Sequence, residues 1–401
     1  MKRFFSNIYR GFANLAAVWQ REFYLIFHDA GVLLFFFFLT FAYPVIYTII
    51  YNPEVLENIP IAVVDKDRSV QSRELSRMID ATQGMEVFNT VPNMQDARRL
   101  MNEKKVYGIL EIPADYGKKL ARNEQGVVTF YSEMSLLLRF RTFVSALTDV
   151  QLAAGTKVRQ GTVDMLGLPA EGMNKMPVDS EAIMLGDPTQ GFASFIIPGI
   201  LILILQQSMV LGVTMLAGGS KERRRRFGGI DPESVNAGPL TTIWGKTLCY
   251  VILYIPVCVY VLDIVPLMFN LPHIGDIRQM MLFVVPMLFA SAFFGQTLSV
   301  FVTERESSML VIVFTSVVFL FLSGLTWPRY AMNDLWLWIG DAIPATWGVE
   351  GFIRMNSNGS PLWEETLPHP MLWVLAAIYM TTAYFITRYT LPNRRRPVVA
   401  K

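Results

Sequence analysis

The stretch with the residue types and spacing best suited to chemistry is SKERRRRFGGIDPESVNAGPLTTIWGKTL, from Ser220 to Leu248. Gly245-Lys246-Thr247 ends like a phosphate-binding loop, but that loop needs a glycine five residues before its last glycine and a strand ahead of it. Position 240 is Leu240, so no ATP site is read here. Asp65 and Asp67 could form a carboxylate pair, but a strand-end turn explains them better. His28, His273 and His369 are scattered without metal-ligand spacing, and no Gly-x-Ser-x-Gly elbow is present. The chain reads as neither an enzyme nor a cofactor carrier.

The basic block Lys221, Arg223, Arg224, Arg225 and Arg226 has a simple explanation as an anchor to anionic lipid, at about 1 kcal/mol per residue. That does not account for Gly228-Gly229, the polar turn, Pro239 opening a new helical stretch, or Gly245-Lys246. A short helix lying against a cytoplasmic partner accounts for more, and places a loop at 218–241.

The elements that must position this loop are apolar. Gly31 to Ile50 reads GVLLFFFFLTFAYPVIYTII, uncharged and long enough to cross a hydrocarbon core of roughly 30 Å. Five more such runs follow at 192–216, 242–261, 280–302, 308–325 and 371–386. The 401 residues are 52% hydrophobic and only 17% charged, with a mean hydropathy of +0.36. A soluble domain carries about a quarter charged residues. The first run is too long for a signal peptide's apolar core and reads as a retained anchor. Cys249 and Cys258, nine helical residues and roughly 13 Å apart, are too distant to bridge.

Before the first run, residues 1–29 place Phe12, Leu15, Val18, Trp19, Phe23 and Ile26 at helical spacing among Arg10 and Arg21, an amphipathic helix for the membrane interface. The segment 51–190 alternates strands (59–65, 85–91, 106–113, 126–132) with helices (69–81, 94–104, 114–122, then 135–165), which predicts a compact α/β domain. Lys and Arg crowd the N-terminal segment, the loop after the second run and the tail 391–401, while the loops on the other side carry few. By the positive-inside rule both termini are cytoplasmic and 51–190 is extracytoplasmic. Between the fifth and sixth runs, 327–369 gathers Trp327, Tyr330, Trp336, Trp338 and Trp347 and reads as two outer interfacial helices broken at Pro344. The expected fold is an α-helical polytopic membrane protein of six transmembrane helices with an inserted α/β domain. Gln206, Gln207, Gln296, Thr297 and Ser299 either face a lumen or bond between helices. The basic residues hug membrane edges rather than one folded face, so no nucleic-acid partner is expected.

The order of parts resembles permeases of the ATP-binding-cassette type-2 export class. The matching stretches are Lys221-Glu222-Arg223, Gly228-Gly229, Pro239 and Gly245-Lys246. IPIAVVDKDRSVQSREL (59–75) with YGILEIPADYGKKL (107–120) resembles the subgroup with a large periplasmic insert. LSGLTWPRYAMNDLWLWIGDAIPATWGVEGF (322–352) resembles the run after span five. The resemblance implies a bacterial inner-membrane exporter subunit whose loop couples to a separate ATPase subunit through Glu222, Arg223, Arg224, Gly228, Gly229, Pro239, Gly245 and Lys246. It also implies a second permease copy or homologue, and a place for a periplasmic adaptor and outer-membrane channel. The uncharged route suits hydrophobic or amphiphilic cargo. A membrane-anchored sensor or envelope assembly factor with a ligand-binding outer domain is the competing reading.

Overall fold

The computed structural model describes residues 2–51, 56–122, 124–133, 136–166, 191–229 and 231–390. The basic tail at 391–401 and the end of the inserted segment at 167–190 lie outside the described residues. The chain divides into two units, 55–183 and the remainder.

In the inserted unit, β1 (Ile59–Asp65), β2 (Met85–Val91), β3 (Gly108–Ile112) and β4 (Thr129–Ser132) form one sheet in the order β2-β1-β3-β4. β1 pairs parallel with β2 and β3, and β4 closes the edge antiparallel to β3. Alternation along β1 sends Ile61 and Val63 to one face and Ala62 and Val64 to the other. The first face packs Leu75 and Ile79 of α3 (Val70–Asp80), Tyr116 of α5 (Tyr116–Ala121) and Phe143 of α6 (Leu137–Leu166). The second packs Ala97 of α4 (Met94–Asn102). Ser69 and Asn93 cap α3 and α4 by accepting from the backbone N–H of Ser72 and Asp96, at 3.0 and 2.8 Å. Asp65 accepts from the N–H groups of Asp67 and Arg68, the strand-end turn expected of it.

The larger unit opens with α1 (Lys2–Phe27). Val18, Glu22 and Ile26, four residues apart, form its buried stripe, and Tyr9, Phe12, Phe23 and Tyr24 stay exposed. Six helices long and apolar enough to cross a membrane follow. They are α2 (Ala30–Tyr51), α7 (Phe192–Arg226), α8 (Pro239–Met268), α9 (Ile277–Leu298), α10 (Arg305–Leu322) and α13 (Pro368–Thr390). The apolar windows of α7 and α9 are 67% buried and those of α2, α10 and α13 only 22%, so α7 and α9 form the centre and the others face outward. In α2, Leu34–Phe38 widens to a π turn where the ring of Phe36 enters the notch left by Gly212 of α7. A Cβ at Gly212 would lie 1.7 Å from that ring.

Two departures from the sequence reading stand out. The helix of span two does not stop near residue 216 but runs through the basic block to Arg226. Four arginines in its last turn suit the negative end of the helix dipole. No helix forms among the described residues between Arg226 and Pro239, so the short helix expected inside 218–241 is corrected to a C-terminal extension of α7 followed by turns. Of the two helices expected at the outer interface, α11 (Asp334–Asp341) exposes Leu335, Trp336 and Trp338, whereas α12 (Pro344–Asn358) is buried from Pro344 to Val349 within the bundle. Arg329 ties the two together: it pairs with Asp341 and with Glu350 at 2.9 Å, and its guanidinium lies 4.6 Å from the Trp347 ring centroid.

Candidate coupling site

Residues distant in sequence meet where α1 and the ends of α7, α8, α9, α10 and α13 converge. Gly245 lets α1 approach α8: a Cβ there would lie 2.8 Å from Val18 and 3.2 Å from the Leu15 carbonyl oxygen. One turn on, Glu22 is fully buried. Its carboxylate accepts from Lys246 at 3.1 Å and from the Tyr250 hydroxyl, with Arg21 at 3.8 Å. Burial alone pushes the Glu22 carboxyl up, but the charges of Lys246 and Arg21 and the Tyr250 hydrogen bond outweigh it and hold it below the usual range. Asp231 is the second buried carboxylate, with Arg21 at 3.0 Å, Arg223 at 2.9 Å and the Ser220 hydroxyl at 2.5 Å. Burial again opposes ionisation, and the Arg223 and Ser220 hydrogen bonds reverse the direction.

The end of α7 is fastened to the turn between α9 and α10. Lys221 donates to the carbonyl oxygens of Ser299 and Val302 at 2.7 and 2.6 Å, holding the carboxyl end of α9. Glu222 accepts from the backbone N–H of Arg305 at 2.8 Å, the first residue of α10. Arg305 in turn pairs at 2.8 Å with Asp29, which caps α2. Gly218 and Gly219 make the approach possible: a Cβ at either would come within 2.8 Å of Glu304 or Arg305. Arg224 donates to the Thr390 carbonyl of α13 at 2.9 Å, and Arg225 pairs with Glu304 at 2.9 Å.

The residues named from sequence therefore divide. Glu222, Arg223, Gly245 and Lys246 face inward and act as joints within the chain, and Arg224 is half-buried against α13. Pro239 is the first residue of α8, after Gly238 at its cap. Gly228 and Gly229 alone stand open, at φ +68° and +98°, a left-handed termination for which glycine is suited. The Gly229 N–H closes it onto the Arg224 carbonyl at 2.7 Å. The sequence reading also passed over Phe227 and Leu240, 62% and 51% exposed, apolar residues at the end of α7 and the start of α8. It also missed Glu22, Asp231, Gly218 and Gly219. Glu22 reaches Lys246 and Asp231 reaches Arg21 across more than 200 residues of sequence, which no local pattern announces.

Further along α7, a groove of about 430 Å³ lies between α2, α7 and α10. Leu39, Ile204, Leu211 and Val317 line it with Tyr43, Gln207, Ser208 and Ser316, and no charged side chain does. Gln296 bonds to Thr247 at 2.7 Å and Thr297 to Thr382 at 2.8 Å, so these two tie α9 to α8 and α13, while the Ser299 hydroxyl donates to the Gln296 carbonyl at 2.6 Å within the end of α9 itself. Gln206 and Gln207 have buried amides without partners. Cys249 and Cys258 are buried free thiols.

A bundle of six membrane-length helices with an inserted α/β unit defines a multi-pass membrane protein. The sequence profile described as ABC-2 family transporter protein matches residues 30–385, and the chain belongs to that family. It is a permease of an ABC transporter, a class that works with an ABC ATPase. No curated protein matches the chain.

Proposed function

We propose that the chain is the permease subunit of an ATP-driven exporter, with the tip from Phe227 to Leu240 as its contact with the ATPase subunit. The observation that carries this is the continuity of α7. Its 35 residues span about 52 Å at 1.5 Å per residue, well beyond a hydrocarbon core of roughly 30 Å. One helix therefore forms a wall of the groove and ends at the tip. Lys221, Glu222, Arg223 and Arg225 tie its end to α9, α10 and the 231 turn, so displacement of the tip moves packed helices together rather than bending a loop. Closure of an ATPase dimer against the tip would then change the groove.

The groove's apolar wall, interrupted by Gln207, Ser208 and Ser316, suits hydrophobic or amphiphilic cargo taken from the cytoplasm or inner leaflet. An unpartnered amide in an apolar setting costs about 2–7 kcal/mol, which favours Gln207, on the groove wall, meeting a polar group of cargo or of a second permease copy. The distribution of Lys and Arg supports both termini being cytoplasmic and the α/β unit outside, and the scarcity of cysteine with the family supports a bacterial inner membrane, where an adaptor leading to an outer-membrane channel would meet that unit. Tagged purification in mild detergent with mass spectrometry tests the reading. A stoichiometric ATPase subunit is expected; a chain that purifies without one across detergents and salt levels favours the sensor or assembly reading.

A further inference from the structure

Inside the bundle end where the carboxylates Glu22 and Asp231 sit is a pocket of about 210 Å³ formed by α1, α7, α8, α9 and α13. Four cationic side chains line it: Arg21, Lys221, Arg224 and Lys246. Neither Glu22 nor Asp231 lines it. Arg21 and Lys246 are paired with those carboxylates behind the wall. Lys221 and Arg224 bond to neutral groups: Lys221 to the carbonyls of Ser299, Val300 and Val302, and Arg224 to that of Thr390. The two lie three residues apart on one face of α7, so their charges add within the pocket. The Nε–H of Arg21 is also buried without a hydrogen-bond partner. Hydroxyls of Ser234, Thr242 and Thr387 complete a donor-rich lining.

Two neighbouring cations opposed only by carbonyl dipoles, beside an unsatisfied guanidinium donor, form an incomplete site. We propose that this pocket binds a phosphate-bearing anion, with Lys221 and Arg224 supplying the charge and Arg21 a directed hydrogen bond. The recognising chemistry is a phosphate monoanion or diester, which two sources can present. One is an anionic lipid headgroup, since basic pockets between spanning helices at the inner border bind such groups. The other is the phosphate of a soluble anion. The inference rests on the membrane-spanning assignment and not on export, so it stands or falls by binding alone.

The test uses the full chain in detergent, titrated with phosphatidylglycerol or phosphatidylcholine and read by native mass spectrometry, and separately with inorganic phosphate at millimolar concentration, read by thermal melting. Arg224→Gln removes one charge from a half-buried side chain that makes one carbonyl hydrogen bond. It should melt like the wild type without ligand. Arg226→Gln, on the exposed end of α7, is the charge-matched control. The proposal expects phosphatidylglycerol retention to weaken about fivefold in Arg224→Gln and to be unchanged in Arg226→Gln. Stabilisation by inorganic phosphate that Arg224→Gln abolishes assigns the soluble source instead. Equal lipid retention and equal phosphate response in wild type, Arg224→Gln and Lys221→Gln overturn it, as does an equal loss in Arg226→Gln.

Discussion

Glu22→Gln is the sharpest perturbation of this architecture, because it keeps shape and removes only charge. Glu22 is fully buried between Lys246, Arg21 and the Tyr250 hydroxyl. Breaking a buried pair by removing one partner costs about 3–5 kcal/mol, mostly from the charge left behind. Here the cationic side chains retain 19% and 13% exposure, and glutamine can still accept from Tyr250, so the lower end, about 3 kcal/mol, is expected. At roughly 2–4 °C per kcal/mol for a unit of this size, the melting temperature in detergent falls by about 6–12 °C. The double variant Glu22→Gln with Lys246→Met should lose less than the sum of the singles, because it removes the orphaned ammonium. The same network sets a pH dependence. Glu22 and Asp231 have lowered folded-state values, so their contribution is fully present above their unfolded values and is lost as pH falls through the folded ones. Wild-type melting should be flat through neutral pH and drop in the acid range below about pH 4, with a smaller acid drop in Glu22→Gln. A single variant within 1 °C of wild type, or additive singles, would refute the claim that Glu22 fastens α1 to α8.

Other tests follow from the same packing. Gly212→Ala forces a methyl into the Phe36 ring and should cost at least about 1–3 kcal/mol, with Phe36→Leu in the same chain recovering part of it; equal melting of Gly212→Ala and wild type would contradict the notch. Phe227→Asp with Leu240→Asp alters exposed tip residues, so melting should move by less than about 0.5 kcal/mol while ATPase co-purification is lost; full retention of the ATPase would remove the tip from the contact. Cysteines placed at Gln125 and Glu233, both exposed, should be labelled from outside and inside respectively in intact spheroplasts, since the native thiols are buried. Reversed labelling would invert the orientation.

The six spans and the α/β alternation were legible because both rest on periodicity and on apolar length, which are local. The strand runs at 59–65 and 85–91 match β1 and β2 residue for residue. The end of α7 was misread because the change from apolar to charged residues after the run 192–216 was taken as the start of a loop at 218. Arginines at a carboxyl terminus favour helix, and that composition marks where the membrane stops, not where the helix does. Of the residues read as ATPase contacts, Gly245 and Lys246 pack against Val18 and Glu22 of α1. Their partners Val18 and Glu22 lie more than 200 positions away, and nothing near Gly245 in the sequence announces them. The burial of α12 was hidden for a similar reason: Trp347 looks like an interface aromatic until Arg329 and the bundle cover it.

The central claim is that α7 transmits movement of the tip to the groove. Spin labels at Tyr43 and Val317, on facing walls of that groove, in the complex purified with its ATPase subunit, test it directly. The account predicts that the distance distribution shifts when ATP is added under non-hydrolysing conditions and returns on nucleotide removal. An unchanged distribution in a complex that demonstrably binds ATP would contradict it.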